Sequence, residues 1–181
     1  GGGNLRRRLI VVSLIGPLLL VRLAAHAEDW PQFRGPDGQG HSSESRFPVS
    51  WSETERIAWR TAIPGLGWSS PVVKGQQVWL TTAIEESGTL KAVCLERDTG
   101  TVLHDVTIFH AADLGRIAAE NSHASPTPVL DDDRVYVHFG SHGTACLTTA
   151  GQIVWTQRLP YDQRHGPAGS PVLWGELLIV A

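Results

Sequence analysis

The 181-residue sequence contains no methionine, only two cysteines and no apolar run long enough to cross a membrane. Without methionine, and with three glycines at its start, the chain is expected to be a fragment that lacks its natural first residue. The final residues stop within an apolar run, which predicts a continuation there too. A content of 41% hydrophobic and 18% charged residues fits an ordinary globular domain and excludes a disordered tail or a coiled coil.

Positive charge is scarce beyond the first 27 residues. Residues 28–181 contain 11 Lys and Arg against 18 Asp and Glu, a formal net charge of −7. Proteins that bind DNA or RNA present basic surfaces to the phosphate backbone. We therefore expect no nucleic-acid partner.

The N-terminus has the three-part pattern of a secretory signal peptide, predicted for residues 1–27. Three arginines precede the apolar stretch Leu9–Leu23, and Ala25-His26-Ala27 supplies a cleavage site. The stretch is too short for a membrane-spanning helix, which needs about 20 residues. The mature chain should start at Glu28, exported to the periplasm or the extracellular space, with no membrane span. Both the general secretory route and the twin-arginine route stay open.

Export would place Cys94 and Cys146 in an oxidising compartment, where a disulfide is allowed. The two cysteines occupy matching places in a repeat, which favours buried strand positions. A lone cysteine at such a position behaves as a small apolar residue. We expect both to be unpaired core residues.

A repeat runs through residues 57–181, after an irregular leader at residues 28–56 that is rich in Gly, Pro and Ser. Three Ser/Thr-Pro segments are each followed, seven residues after the proline, by an apolar run. The predicted first strands are Ser69–Val73, Ser125–Leu130 and Ser170–Leu173. Ala92-Val93-Cys94-Leu95 and the similar Ala145-Cys146-Leu147 mark a third strand, and a fourth strand ends in large residues such as Trp59 and Trp155.

These short alternating segments, without sustained helical spacing, predict an all-β fold. Their prolines are 57 and 43 residues apart, which fits the roughly 40–50 residues of a four-stranded propeller blade once a loop insertion is allowed. We predict an incomplete β-propeller of four-stranded antiparallel blades, about three of them present. A propeller of this kind should be monomeric when complete. A two-sheet sandwich is the alternative, but it does not explain one register recurring three times.

Two segments carry a family resemblance. Asp29-Trp30-Pro31-Gln32-Phe33-Arg34-Gly35-Pro36 follows the cleavage site, and Ala124-Ser125-Pro126-Thr127-Pro128-Val129 leads into the second repeat. Here the chain resembles the secreted bacterial PQQ-like β-propeller repeat proteins, where PQQ is pyrroloquinoline quinone. Their relatives include the BamB-like outer-membrane assembly factors and the quinoprotein alcohol dehydrogenases. The resemblance implies a propeller of about seven or eight blades, and it does not imply the cofactor.

The residues for quinone chemistry are not found in this sequence. The dehydrogenases of that superfamily have two adjacent cysteines, whereas Cys94 and Cys146 are 52 residues apart. Three consecutive carboxylates, Asp131, Asp132 and Asp133, lack the alternating oxygen ligands that calcium prefers and indicate a solvated turn. No zinc-binding spacing occurs. We therefore expect no catalytic residue, no metal site and no cofactor.

The topology creates one candidate interaction face. In an up-and-down blade, the loop that enters the first strand and the loop between the second and third strands emerge at the same end. The ring residues in or beside these loops are Trp68, His110, His123, His142 and His165. Such a face could bind an acidic partner or a transition metal in a pH-dependent manner. Ordinary backbone contacts of loop residues are the alternative.

Two functions compete. The first is an exported, non-catalytic propeller that acts as a protein-interaction scaffold. The second is a PQQ-dependent oxidoreductase, which would use calcium and have its cofactor residues further along the chain. Because propellers serve both functions, fold cannot decide between them. The lack of adjacent cysteines favours the scaffold.

Overall fold

A computed structural model of the protein describes residues 27–45, 47–158 and 165–181. Apart from residue 27, the predicted signal peptide lies outside the described residues. Within the described ranges, no helix has the length and apolarity needed to span a bilayer.

The chain folds into consecutive antiparallel sheets. The first blade consists of β1 (Val72–Lys74), β2 (Gln77–Ile84), β3 (Thr89–Glu96) and β4 (Val102–His110). The second consists of β5 (Val129–Asp131), β6 (Arg134–His138), β7 (Thr144–Thr148) and β8 (Ile153–Gln157). A third sheet contains β9 (Val172–Trp174) and β10 (Leu177–Ile179). The only helical turns among the described residues are two 3₁₀ turns between second and third strands, Glu85–Ser87 and Gly140–His142. The predicted all-β architecture of four-stranded blades is confirmed.

The register of the blades repeats residue by residue. Across the first sheet the paired residues are Val72, Trp79, Cys94 and His104. Across the second they are Val129, Tyr136, Cys146 and Trp155. Both sheets shift register directly after the cysteine, where the fourth strand contains one extra residue. The same sequence pattern thus produces the same pairing and the same bulge at the cysteine, whereas the first blade has a second register shift between Leu90 and Lys91.

The first strands begin later than predicted. The sequence placed the start of the first one at Ser69, whereas the ladder begins at Val72. The reason is that the Ser70 amide bonds to a side chain of the next blade, while Pro71 has no N–H to donate. The segment before Val72 is extended, but it does not pair as a strand at these residues.

The turns between first and second strands share one backbone shape. Gly75, Asp132 and Gly175 occupy equivalent positions and all have positive φ, at 56°, 42° and 56°. Aspartate tolerates this conformation better than most residues because its short side chain bonds locally. Asp131, Asp132 and Asp133 are all exposed at their turn, as expected for solvated carboxylates.

Adjacent blades interlock through close contacts between an aromatic ring and a glycine. The His104 ring of β4 lies over Gly151 in the second blade, where a Cβ atom would approach it to 2.9 Å. The Trp59 ring lies over Gly100 in the first blade in the same way, and a Cβ atom there would collide with it. Trp59 Nε1 also donates to the Arg97 carbonyl at 2.7 Å. The segment around Trp59 therefore packs on the first blade as β4 packs on the second.

Each buried cysteine occupies the third strand between two rings. Cys94 pairs with Trp79 on one side and His104 on the other, and these two rings stack with centroids 5.8 Å apart. Cys146 lies between Tyr136 and Trp155, whose centroids are 6.3 Å apart. A small side chain is needed where two rings meet above the strand. Both cysteines are free and buried, so the expectation of unpaired core residues is confirmed.

The buried thiols should be chemically silent in the folded protein. Burial raises the pKa of the Cys94 thiol to about 12 and also raises that of Cys146, and only the thiolate reacts quickly. Ellman's reagent at pH 8 should label neither cysteine in the native protein and both in denaturant. Rapid native labelling, or no reactive thiol after unfolding without reductant, would contradict this packing.

Candidate functional site

The leader binds along the free edge of the first strands. Trp30 and Val73 exchange both backbone hydrogen bonds, at 2.8 and 2.9 Å. The Leu130 amide of the second blade donates to the Pro31 carbonyl at 2.8 Å. The leader therefore bridges the innermost strands of two blades. It runs antiparallel to β1, toward the end where the first strands begin.

Side-chain hydroxyls link the starts of successive first strands. The Ser70 amide donates to Thr127 Oγ1, and the Thr127 amide donates to Ser170 Oγ, each at 3.0 Å. All three residues immediately precede the proline of their Ser/Thr-Pro segment. In the second and third of these segments, the side-chain hydroxyl accepts a hydrogen bond from a backbone amide of the preceding blade.

A cavity of about 480 Å³ lies between the leader and the starts of the first strands. We call it the leader pocket. Its lining residues include Gln32, Phe33, Asp37, Trp68, Thr127 and Ser170. The volume falls within the range of about 300–1,000 Å³ that is typical of ligand sites. Phe33 and Trp68 expose 51% and 63% of their surface, so two aromatic rings are accessible here.

Two of the predicted ring residues meet elsewhere. The His123 and His142 rings contact edge to face, with centroids 5.9 Å apart. A His142 ring nitrogen, Nε2, hydrogen-bonds the Leu114 carbonyl at 2.9 Å. Both rings line a small cleft of about 30 Å³, which also contains Arg116 and Pro167. The pair therefore joins the loop before the second blade to that blade's own 3₁₀ turn.

The other predicted ring residues are dispersed around this end of the molecule. His165 accepts a hydrogen bond from Asn121 Nδ2 at 2.7 Å through its main-chain oxygen, and the residue is exposed. His110 is exposed at the end of β4. Trp68 lines the leader pocket. The structure thus brings together two of the five residues, and the role of all five as an interaction face stays a prediction.

Burial lowers the pKa values of two histidines. It lowers the pKa of the His123 imidazole; His142 lowers it further, whereas Glu85 and Asp113 raise it. Burial alone lowers the pKa of His138 to about 4. His138 is 1% exposed and its Nδ1 lies 2.8 Å from Thr144 Oγ1. Both shifts favour the uncharged form of the imidazole.

Among the described residues, no three His, Cys, Asp or Glu side chains come close enough to hold a metal ion.

The residues that line the leader pocket do not fit PQQ. The quinone carries three carboxylate groups, while the pocket contains the Asp37 carboxylate and no Lys or Arg in its lining. The lining therefore offers no cationic side chain to balance the carboxylates of the quinone.

Sequence reasoning missed Phe33 and Asp37 as candidate site residues. They lie in the glycine-rich stretch of the leader, for which the sequence predicts only irregular structure. The usable signal was the presence of exposed aromatic and acidic residues in a segment that lacks the repeat register. The other residues of the pocket are Trp68 and residues at the starts of the first strands of the second and third blades. No local pattern in the sequence connects these residues to the leader.

A family model described as outer membrane protein assembly factor BamB matches residues 43–181. Among solved structures, the crystal structure of BamB from Moraxella catarrhalis superposes with a TM-score of 0.54 at 20% sequence identity. That match covers 71% of this chain and 38% of the other chain, so this chain spans well under half of the BamB structure. No curated protein matches the sequence significantly.

The neutral His138 should make the fold sensitive to acid. Below its ordinary pKa of about 6.5, the unfolded chain binds a proton that the folded chain refuses, so the free energy of unfolding falls as pH falls from about 6.5 to about 4. The loss reaches the order of 3 kcal/mol at pH 4. Urea unfolding of the wild type and of His138→Asn across this range isolates the effect, because other groups titrate in both proteins.

Direct titration of the His138 ring by NMR covers the case in which the variant does not fold. A midpoint near 4 is expected. A ring that titrates near 6.5, or identical pH slopes in the two proteins, would show that His138 is not held neutral.

Proposed function

Since the chain belongs to the BamB family of PQQ-like β-propeller repeat proteins, we propose that it is an exported, non-catalytic propeller that acts as a protein-interaction scaffold. Its place of action would be the cell envelope or the extracellular space. The observation that carries this proposal is the use of the chain's chemistry-bearing side chains in packing. Cys94 and Cys146 are buried thiols with raised pKa values, and His138 is a buried neutral imidazole.

The construction of the blades supports the same function. Every buried side-chain nitrogen or oxygen of the described residues has a hydrogen-bond partner. Blades joined by hydroxyl bonds and ring-on-glycine contacts form a framework with few internal degrees of freedom. A partner that binds a rigid surface loses less conformational entropy on association, which suits a scaffold.

Export is supported by the N-terminal sequence, where three arginines, an apolar stretch and Ala25-His26-Ala27 follow in the order of a signal peptide. The description of the family as an assembly factor favours a protein partner. The acidic balance of residues 28–181 argues against a nucleic acid.

The alternative is a PQQ-dependent oxidoreductase with calcium. It is supported by the superfamily alone, since the sequence has no adjacent cysteines and the described residues contain no group of three His, Cys, Asp or Glu that could hold the calcium ion. The scaffold is therefore the better-supported function.

Two measurements on the intact protein test the proposal. When the protein is expressed with its own N-terminus in a bacterium, the envelope or medium fraction should contain a chain that starts at Glu28. Retention of the uncleaved chain in the cytosol would contradict export.

The second measurement addresses catalysis. Purified protein is incubated with PQQ, calcium and simple alcohols, and the reduction of an electron-accepting dye is followed. The expected rate equals that of the control without cofactor. Turnover above that control would overturn the non-catalytic function, whatever the location of the protein.

A further inference from the structure

We propose that the leader pocket binds a cationic side chain, arginine or lysine, presented by a protein partner. This inference rests on the proposed scaffold function, and it specifies the chemistry that the partner offers. The site combines the leader loop around Phe33 and Asp37 with Trp68 and the first-strand starts.

The two exposed rings of the leader pocket favour a cationic ligand. Phe33 and Trp68 leave 51% and 63% of their surfaces open and line one cavity. The face of an aromatic ring carries negative potential and attracts guanidinium and ammonium groups, most strongly when water is partly excluded. Aromatic rings that flank a cavity of this size therefore favour a cation with an apolar stem, which is the character of arginine and lysine side chains.

The negative charge of the leader pocket and of the surrounding chain also favours a cation. Asp37 contributes a carboxylate to the pocket, and no Lys or Arg is among the lining residues. Arg34, the cationic residue of the same loop, instead donates to the Gln39 carbonyl at 3.4 Å. Residues 28–181 have a formal net charge of −7, so the surrounding field also attracts a basic partner.

Hydrogen bonds within the protein hold the walls of the leader pocket in place. The Asp37 carboxylate accepts a hydrogen bond from the Gln39 amide at 2.8 Å, and Gln32 Nε2 donates to the Pro36 carbonyl at 3.1 Å. The Trp68 amide donates to the Ala124 carbonyl at 3.1 Å. These bonds order the loop and the strand entry before any ligand arrives, so binding does not have to supply that order.

The same features disfavour other ligands. An anionic ligand would meet the Asp37 carboxylate without a compensating cation in the lining. A neutral sugar could stack on the rings but would gain nothing from the charge. The carboxylate therefore distinguishes a cation from a sugar in the experiment.

The test uses the intact protein labelled with 5-fluorotryptophan, with the Trp68 signal assigned from the Trp68→Phe variant. The probes are the peptide acetyl-Gly-Arg-Gly-amide and the same peptide with citrulline, a neutral isostere of arginine. The arginine peptide should shift the Trp68 signal saturably and bind at least about fivefold more tightly than the citrulline peptide. Raising the salt concentration from 0.05 to 0.5 M should weaken its binding.

Matched variants assign the effect to the pocket. Asp37→Asn keeps an acceptor for the Gln39 amide but removes the charge, and should abolish the preference for arginine over citrulline. Glu176→Gln and Trp174→Phe remove the same kinds of group from the exposed turn between β9 and β10. These two controls should bind the arginine peptide as the wild type does.

Three results would overturn the proposal: equal affinity for the two peptides, an unchanged preference in Asp37→Asn, or a Trp68 shift by cellobiose and not by the arginine peptide. Because the titration needs neither export nor the natural partner, its failure would leave the scaffold function standing. Conversely, alcohol oxidation in the presence of PQQ would overturn the non-catalytic scaffold function and would leave the peptide result unchanged.

Discussion

The joining of the blades depends on the hydroxyl groups of Thr127 and Ser170, which precede the prolines of the second and third first strands. A four-stranded antiparallel sheet has two faces and two edges, and it needs a neighbour on each face to bury its apolar side chains. Thr127 and Ser170 supply that connection by accepting the amide hydrogen of the preceding blade. The amide would otherwise lie partly buried without a partner, which costs about 1–3 kcal/mol. The bonds therefore set the position of one blade relative to the next.

The ring-on-glycine contacts follow from that position. Once the first strands are aligned at their starts, the fourth strand of one blade reaches the turn between third and fourth strands of the next, where Gly151 meets His104. The leader uses the edge that remains. Trp30 pairs with Val73, and Pro31 accepts from the second blade. The leader pocket is thus a product of the same alignment, because its walls are the leader and the strand starts.

Much of the fold was predictable from sequence, since strand alternation and turn residues are local signals that recur in register. The turn at Asp132 and the cysteines of the third strands lie where the pattern placed them. The starts of the first strands did not, because the bonds that replace the ladder there join residues 57 and 43 positions apart. A single sequence has no local signal for such contacts.

The candidate site was predictable only in part, for the same reason. Loop topology brought His123 and His142 into one neighbourhood, and the structure places their rings in contact. It did not indicate that Trp68 faces the leader, because the leader lacks the repeat register and its pairing with Val73 is nonlocal. The candidate site is therefore acidic and aromatic. The two thiols and the His138 imidazole, in contrast, are buried in the core.

The most direct test of the account is hydrogen exchange at the Ser70 amide, compared between the wild type and Thr127→Val, with Thr127→Ser as the control. This amide lies outside every strand, and its described partner is the Thr127 hydroxyl of the next blade. We expect strong protection in the wild type and the serine variant, and a large loss of protection in the valine variant. Exchange as fast as in an exposed loop in the wild type, or full protection in Thr127→Val, would show that the hydroxyl does not join the blades.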